Sequence, residues 1–183
     1  MCVVAGQTNL EGVKAVQWGI EHEMDAVRQY ESQTGNKVES CGLILAPNGF
    51  LGASPDGFVG DTIVIEVKCP WRLKSKKLCD LCTSDKSFFL GDSGDGQYYL
   101  KHTHDYYHQI QGQMYLSGRN ECHMIVWSPA EQVILSITKD ATWESNLTKL
   151  STFYCNVVIP RLLAEHQMSP EPDAATAVTQ LPH

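Results

Sequence analysis

Two acids and a lysine near the middle of the chain, Asp56, Glu66 and Lys68, are the residues most able to do chemistry together. The pattern of residues 62–69 predicts a β-strand that places Glu66 and Lys68 on one face. The tetrapeptide SPDG at residues 54–57 predicts a turn, because Pro55 fixes φ and Gly57 tolerates a positive φ. If residues 51–54 pair with residues 62–69 as a hairpin, Asp56 returns beside Glu66. Two carboxylates and an ammonium group at a sheet edge can bind Mg²⁺ and position or deprotonate a water molecule.

These segments, SPDG followed by EVKCP at residues 66–70, resemble the signature of the PD-(D/E)xK nuclease superfamily. The fuller string is similar to the branch that contains lambda exonuclease and the YqaJ-like viral recombinases (alkaline exonucleases). WGIEHE at residues 18–23 is similar to the helix that supplies the first acidic residue of that branch, and HQIQGQMY at residues 108–115 to its glutamine-bearing helix. The resemblance runs from about Trp18 to about Leu163, and implies a single YqaJ-like nuclease domain over residues 1–166.

The resemblance also implies a set of metal ligands. Asp56 and Glu66 are expected to bind Mg²⁺ or Mn²⁺ directly, with the main-chain carbonyl of Val67 as a third ligand. Glu23 is expected to bind the metal directly or through water. A lone glutamate on a helix is otherwise an ordinary exposed acid, so the assignment of Glu23 depends on the family pattern.

Two further side chains are expected to act on the attacking water. Lys68 would hold or deprotonate it, with the pKa of Lys68 lowered by the nearby metal. Gln109 is the glutamine that the family pattern selects to contact the water or the metal shell, in preference to Gln111. A glutamine stripe without such a pattern is more often a polar helix face.

The charge of the chain bears on how it would hold nucleic acid. A formal net charge of −7 argues against capture of DNA by a broad positive surface. Residues 68–77 nevertheless contain five basic residues and no acid, immediately after the candidate site. We interpret this run as contacts to DNA phosphates rather than a solvated loop. The DNA-binding residues predicted beyond Lys68 are Arg72, Lys74, Lys76 and Lys77.

Length and composition fit one globular domain: 183 residues, 43% of them hydrophobic and 19% charged. The sequence has no apolar run long enough to span a membrane and no signal-peptide pattern, so we expect an intracellular protein, nuclear if eukaryotic or viral in origin and otherwise cytoplasmic. Seven cysteines favour reduced thiols over a disulfide framework. Cys79 and Cys82 form a C-x-x-C pair that could bind Zn²⁺, but no second clear pair accompanies it.

Hydrophobic periodicity predicts an α/β sandwich around a central mixed β-sheet flanked by helices, which agrees with a PD-(D/E)xK restriction-endonuclease-like core. The first helix is expected over residues 8–32, with its apolar stripe at Val13, Val16, Ile20, Met24 and Val27. Strands follow at 38–46 and 50–53 around a Pro47-Asn48-Gly49 turn. A helix at 105–117, strands at 122–127 and 132–138 and a helix starting at Asp140 or Thr142 complete the domain. Residues 84–97 are expected to be a long loop, and residues 167–183 a disordered tail.

Three functions are consistent with these patterns. The first is a Mg²⁺-dependent exonuclease that degrades linear duplex DNA from free ends, 5′ to 3′, in recombination or repair. The second is an endonuclease on the same core, and the third is a non-catalytic DNA-binding or zinc-binding module. The resemblance adds a homo-oligomeric ring, with an open-grooved monomer as the alternative, and a single-strand annealing partner; no membrane partner is expected. Only about seventeen residues precede Trp18, so the family's 5′-phosphate-binding segment is expected to be missing, replaced or cut off.

Overall fold

A computed structural model describes residues 14–168, and their largest β-sheet is four-stranded and mixed. The helices are α1 (Lys14–Thr34), α2 (Leu78–Ser84), α3 (Asp105–Ser117), α4 (Ser145–Phe153) and α5 (Ile159–Met168). The strands are β1 (Ile44–Leu45), β2 (Gly52–Ala53), β3 (Gly57–Val59), β4 (Ile63–Lys68), β5 (Leu90–Asp92), β6 (Tyr98–Leu100), β7 (Glu121–Trp127) and β8 (Gln132–Thr138). Short 3₁₀ turns lie at Trp71–Lys74 and Ala141–Glu144, and a π turn at Tyr154–Val158.

The central sheet has the strand order β3-β4-β7-β8. β4 is antiparallel to β3 and parallel to β7, and β7 is antiparallel to β8. A parallel pair needs a long crossover, and the chain between β4 and β7 provides one that contains α3. The predicted mixed α/β fold is therefore confirmed.

Helices cover both faces of β4, as its alternating side chains require. Ile65 and Val67 pack in one hydrophobic cluster with Ile125 and Trp127 of β7 and with α1. On the opposite face β4 and β7 pack against α3, whose Tyr107, Ile110 and Met114 are buried. The two faces predicted for residues 62–69 are confirmed: the apolar one joins the core, and the one with Glu66 meets α3.

The buried face of α1 differs from the prediction. Ile20 and Met24 were expected in the apolar stripe, but they are 70% and 54% exposed. The residues that pack on the sheet are instead Trp18, Ala26, Val27 and Tyr30. Only Val27 belongs to both sets among the described residues, and Val13 lies outside them. The two aromatic rings bury more apolar surface than Ile20 and Met24 could, which favours the observed face.

The segment that carries Asp56 also differs in its pairing. Residues 38–46 form only a single bridge at Glu39 and the two-residue β1, which pairs with β2. The hairpin partner of β4 is β3, not residues 51–54, so Asp56 lies just before a strand. Gly57 does not have a positive φ. A Cβ there would lie 2.5 Å from Val38 Cγ1 and 3.0 Å from the Glu39 carbonyl oxygen, so close approach of residues 38–39 explains the glycine.

The crossover holds more structure than the sequence indicated. The predicted loop over residues 84–97 contains the end of α2, strand β5 and the turn into β6, which pairs with β5. The prediction for α3 is confirmed at both ends, with Gly118 as its C-cap at φ 72°. Strands β7 and β8 also lie where they were expected. Asp140 caps the 3₁₀ turn that precedes α4 by accepting a hydrogen bond from the Thr142 N–H.

The chain divides into two compact units, one ending at Ser145 and one beginning at Asn146. In the second unit, a π turn at Tyr154–Val158 joins α4 to α5 just before Pro160, where a proline removes a helical hydrogen bond. The single domain over residues 1–166 stays a prediction. The predicted tail begins within α5, and from residue 169 on it lies outside the described residues. No helix within residues 14–168 is long and apolar enough to cross a membrane.

Candidate active site

Strand β4 and the segment just before β3 bring the two carboxylates together. The Asp56 N–H donates a hydrogen bond to the Ile65 carbonyl at 3.1 Å. The Val67 N–H in turn donates to Oδ2 of Asp56 at 2.6 Å. These two bonds lie on either side of Glu66 in the sequence. Asp56 is thus fixed beside Glu66 by main-chain contacts, although by a different hairpin from the one expected.

Glu66 is buried and hydrogen-bonded at both carboxylate oxygens. It is 1% exposed, which for a glutamate requires compensating partners. Oε1 accepts a hydrogen bond from Gln109 Nε2 at 2.8 Å and forms an ion pair with Lys68. Oε2 accepts a hydrogen bond from Gln113 Nε2 at 2.7 Å. Helix α3 therefore orients the carboxylate that β4 supplies.

The pKa values of the site reflect this crowding. Burial raises the pKa of Asp56 to about 7, and the negative charges of Glu66 and Glu23 act in the same direction. The hydrogen bond from the Val67 N–H acts to lower this pKa but is outweighed. Burial acts to lower the pKa of Lys68, but the charge of Glu66 and its hydrogen bond outweigh it, so this pKa is raised. The lowering of the Lys68 pKa expected from a nearby metal stays a prediction.

Glu23 belongs to the same region of the structure. It lies on α1 and lines a cleft of about 370 Å³ together with Val67 and Lys68. Its charge is close enough to raise the pKa of Asp56. A larger groove of about 860 Å³ lies between β6 and β8, but none of the predicted catalytic residues lines it. We call the smaller cleft the candidate active-site cleft: Asp56, Glu66 and Gln109 do not line it, but it adjoins them through Val67 and Lys68, which follow Glu66 on β4.

The donor chemistry of this site fits a hard divalent cation. The charge of Glu66 raises the pKa of Asp56, so the two carboxylates repel each other. A bound cation would relieve this repulsion. Within residues 14–168, no three His, Cys, Asp or Glu side chains are grouped as a metal cluster. A metal would therefore need donors beyond Asp56 and Glu66. The expected ones, the Val67 carbonyl and Glu23, stay predictions.

Helix α3 also separates the roles of its glutamines. Gln111 is fully buried, but its hydrogen bonds are to other residues. Its amide nitrogen donates to the Thr138 carbonyl at 3.1 Å, and its amide oxygen accepts from the Asp140 N–H at 2.8 Å. Gln113 was not among the predicted site residues, yet it contacts Glu66. The signal in the sequence was its spacing of four residues from Gln109, which places both on one helix face.

The predicted DNA-binding residues lie on the surface next to the site. Lys76 and Lys77 are exposed. Arg72 is paired with Asp85, and the Lys74 ammonium lies 4.5 Å from the centroid of the Trp71 ring. Cys79 and Cys82 lie on α2, and the six cysteines within the described residues are free thiols. Contact of the basic run with DNA stays a prediction.

A helix-borne acid, a strand with the E-x-K pattern and a preceding aspartate on a mixed sheet define the PD-(D/E)xK nuclease class. The model of the YqaJ-like viral recombinase domain matches residues 3–120, more than half of the chain. The chain belongs to this family.

The proteins that this chain resembles include nucleases. An alkaline nuclease of Orgyia pseudotsugata multicapsid polyhedrosis virus is 27% identical, over 56% of this chain and 28% of the relative. The structure of an alkaline exonuclease (LHK-Exo) from Laribacter hongkongensis matches at 26% identity and a TM-score of 0.64, covering 84% of this chain and 73% of that one. A structure of LHK-Exo in complex with dAMP gives the same coverage and TM-score at 28% identity. The chain spans under a third of the length of the curated relatives it matches.

Proposed function

We propose that the chain is a Mg²⁺- or Mn²⁺-dependent exonuclease that hydrolyses phosphodiester bonds of linear duplex DNA, 5′ to 3′, in recombination or repair. The observation that carries this proposal is the buried Glu66 carboxylate, which Lys68 and Gln109 contact next to Asp56. Family membership and the nuclease and exonuclease relatives support the reaction class.

Each residue of the site has a role in this reaction. Asp56, Glu66, the Val67 carbonyl and Glu23 would hold the metal, which when bound stabilises negative charge on the phosphate and on the leaving oxygen. Lys68 would hold the attacking water by donating a hydrogen bond to it, while Glu66 fixes the position of the ammonium group. Lys68 would accept the proton of that water only as the neutral amine, the form that a bound metal would favour. Gln109 holds Glu66 through the hydrogen bond to Oε1 and would also contact the attacking water.

The reaction is tested with end-labelled linear and closed circular duplexes in Mg²⁺, Mn²⁺, Ca²⁺ or chelator. Mg²⁺ and Mn²⁺ should support cleavage, Ca²⁺ should bind without turnover, and chelator should stop cleavage without unfolding the protein. Early mononucleotide release from 5′ ends supports the polarity. Cleavage of closed circles at an equal rate would show an endonuclease, and release from 3′ ends first would reverse the polarity.

Lys68→Ala and Glu66→Ala test the assignment of the site. We expect each variant to lose at least about a hundredfold in turnover, the usual scale for removing one group that positions charge in the transition state. Circular dichroism should show that the fold is kept. A Lys68→Ala protein that cuts DNA at the wild-type rate would refute the proposed role of Lys68.

The manner of holding DNA is a further part of the proposal. A chain with a formal net charge of −7 gains from enclosing its substrate, so we infer a ring of copies around the duplex, with the basic run of residues 68–77 facing the DNA. Sedimentation at several protein concentrations measures the oligomeric state. A monomer would favour the alternative, in which an open groove holds the DNA. An intracellular and, in a eukaryotic or viral setting, nuclear location and a single-strand annealing partner belong to the same proposal.

A further inference from the structure

The candidate active-site cleft has two chemically different ends. Glu23, Val67 and Lys68 line one end. The other end is lined by aromatic side chains: Trp71, Phe88, Phe89 and Tyr106. The polar end suits a phosphate group, and the aromatic end suits a flat apolar group attached to it.

The two ends are directly adjacent. The Lys68 ammonium lies 4.4 Å from the centroid of the Tyr106 ring. Phe88 and Phe89 are each 5% exposed and form the buried floor, with their ring centroids 4.4 Å apart. A group joined to a phosphate near Lys68 would therefore lie against the aromatic end.

Trp71 offers an open ring that is already held in place. It is 39% exposed, which is more than is usual for a tryptophan. The edge of Trp18 meets it with ring centroids 5.4 Å apart and an interplanar angle of 86°. The Lys74 ammonium lies over the ring at 4.5 Å. A ring fixed in this way loses little conformational freedom when another ring stacks on it.

We propose that this cleft binds the base of the nucleotide whose phosphate is hydrolysed at Asp56 and Glu66, and that the base stacks on Trp71. The inference rests on the proposed function for the position of the phosphate. Every nucleobase has a π face, so stacking holds any of the four bases. Stacking on Trp71 therefore accepts all sequences, as an enzyme that removes successive nucleotides requires.

The test measures the contribution of the base directly. Calorimetry in Mg²⁺ compares the binding of dAMP with that of deoxyribose 5-phosphate, which lacks the base, for the wild type and for Trp71→Leu, Trp71→Phe and Tyr106→Leu. The wild type should bind dAMP more tightly than the sugar phosphate by roughly tenfold or more. Trp71→Leu should abolish most of that ratio, and Trp71→Phe, which keeps a ring, should retain much of it. Tyr99→Leu is the matched control, because Tyr99 is 51% exposed and does not line this cleft.

The outcomes separate this inference from the proposed function. The base subsite is overturned if the wild type binds dAMP and deoxyribose 5-phosphate with a ratio of affinities near one, even if the enzyme cleaves DNA. It is also overturned if this ratio is the same in Trp71→Leu as in the wild type. A Trp71-dependent ratio in a protein that cleaves no DNA supports the subsite and refutes the nuclease proposal. If Trp71→Leu fails to fold, Tyr106→Leu and a duplex whose second nucleotide from the 5′ end is abasic still test the point, because that nucleotide carries the scissile phosphate. The abasic nucleotide should raise KM in the wild type.

Discussion

At the scale of single residues, the hydrogen bonds of Glu66 define the site. Gln113 is 2% exposed, and its amide donates to the carboxylate oxygen that neither Lys68 nor Gln109 contacts. A side chain that fixes a metal-binding carboxylate in this way usually contributes tenfold to a hundredfold to metal affinity. Gln113 is therefore expected to act on the metal through Glu66.

We predict that Gln113→Leu weakens Mg²⁺ binding by roughly tenfold or more and lowers turnover. Gln111→Leu is the control, since Gln111 is equally buried but bonds to Thr138 and Asp140 instead. Both variants should lose stability, but only Gln113→Leu should lose metal affinity in calorimetry. Wild-type affinity in Gln113→Leu would show that Gln113 is merely structural.

A second residue-scale prediction concerns Asp56. The folded-state pKa is raised from 3.8 to about 7, so the carboxylate costs no stability below pH 3.8, destabilises the fold increasingly between pH 3.8 and about 7, and keeps that full cost at higher pH. In protein treated with chelator, Asp56→Asn should therefore gain stability over the wild type between pH 4 and pH 8, by about 2–4 kcal/mol.

Urea unfolding of both proteins at several pH values measures this gain. Addition of Mg²⁺ at pH 8 should favour the wild type, because a bound ligand stabilises the folded state that holds it. A difference between the two proteins that does not change with pH would contradict the assigned burial of the Asp56 charge.

Residue types and spacing predicted much of this site because a strand has a period of two, which places Glu66 and Lys68 on the same face. Main-chain contacts could not be predicted in the same way. The reason for Gly57 is the approach of residues 38–39 from another part of the chain. Gln113 was missed because the family pattern names one glutamine. Its spacing from Gln109 places both on one helix face, but that spacing alone does not show that the face meets a buried acid.

At the scale of elements, α1 shows the limit of periodicity. Ile20 and Met24 form one apolar stripe, and Trp18, Ala26 and Tyr30 form another around the helix. Which stripe is buried depends on the surface of the sheet, and that surface is assembled from β4 and β7, far apart in sequence. The short strands β5 and β6 were missed because three residues carry too little periodicity to separate a strand from a loop.

Substitution with lysine at two positions of α1 tests its buried face. Ala26 is fully buried, so Ala26→Lys should destabilise the protein by roughly 3 kcal/mol or more, because the pocket offers the ammonium group no room. Met24 is 54% exposed, so Met24→Lys should change stability by about 0.5 kcal/mol or less. Denaturant unfolding compares the two. A large loss in Met24→Lys would mean that another surface covers Met24.

At the scale of the whole molecule, charge distribution matters more than net charge. The chain is acidic overall, while the segment after the candidate catalytic strand is basic. In the structure Lys76 and Lys77 stay exposed, whereas Arg72 is paired with Asp85. The two lysines are thus better placed than Arg72 to exchange counterions for DNA phosphates. Sequence alone predicted the run as a unit and could not rank its members, because the ion pair to Asp85 depends on the fold of the crossover.

The last prediction uses the salt dependence of DNA binding to test this ranking. Each phosphate contact contributes about 0.9 to the slope of log affinity against log salt concentration. The double variant Lys76→Ala/Lys77→Ala should therefore lower the magnitude of that slope by about 2, with a smaller change in turnover at saturating DNA. Lys37→Ala/Lys139→Ala removes the same charge from lysines outside the basic run, so a general change in net charge would lower both slopes alike. Equal slopes in the two double variants would show that Lys76 and Lys77 do not contact the DNA, and a shallower slope in Lys76→Ala/Lys77→Ala than in the control would support their contact with DNA phosphates.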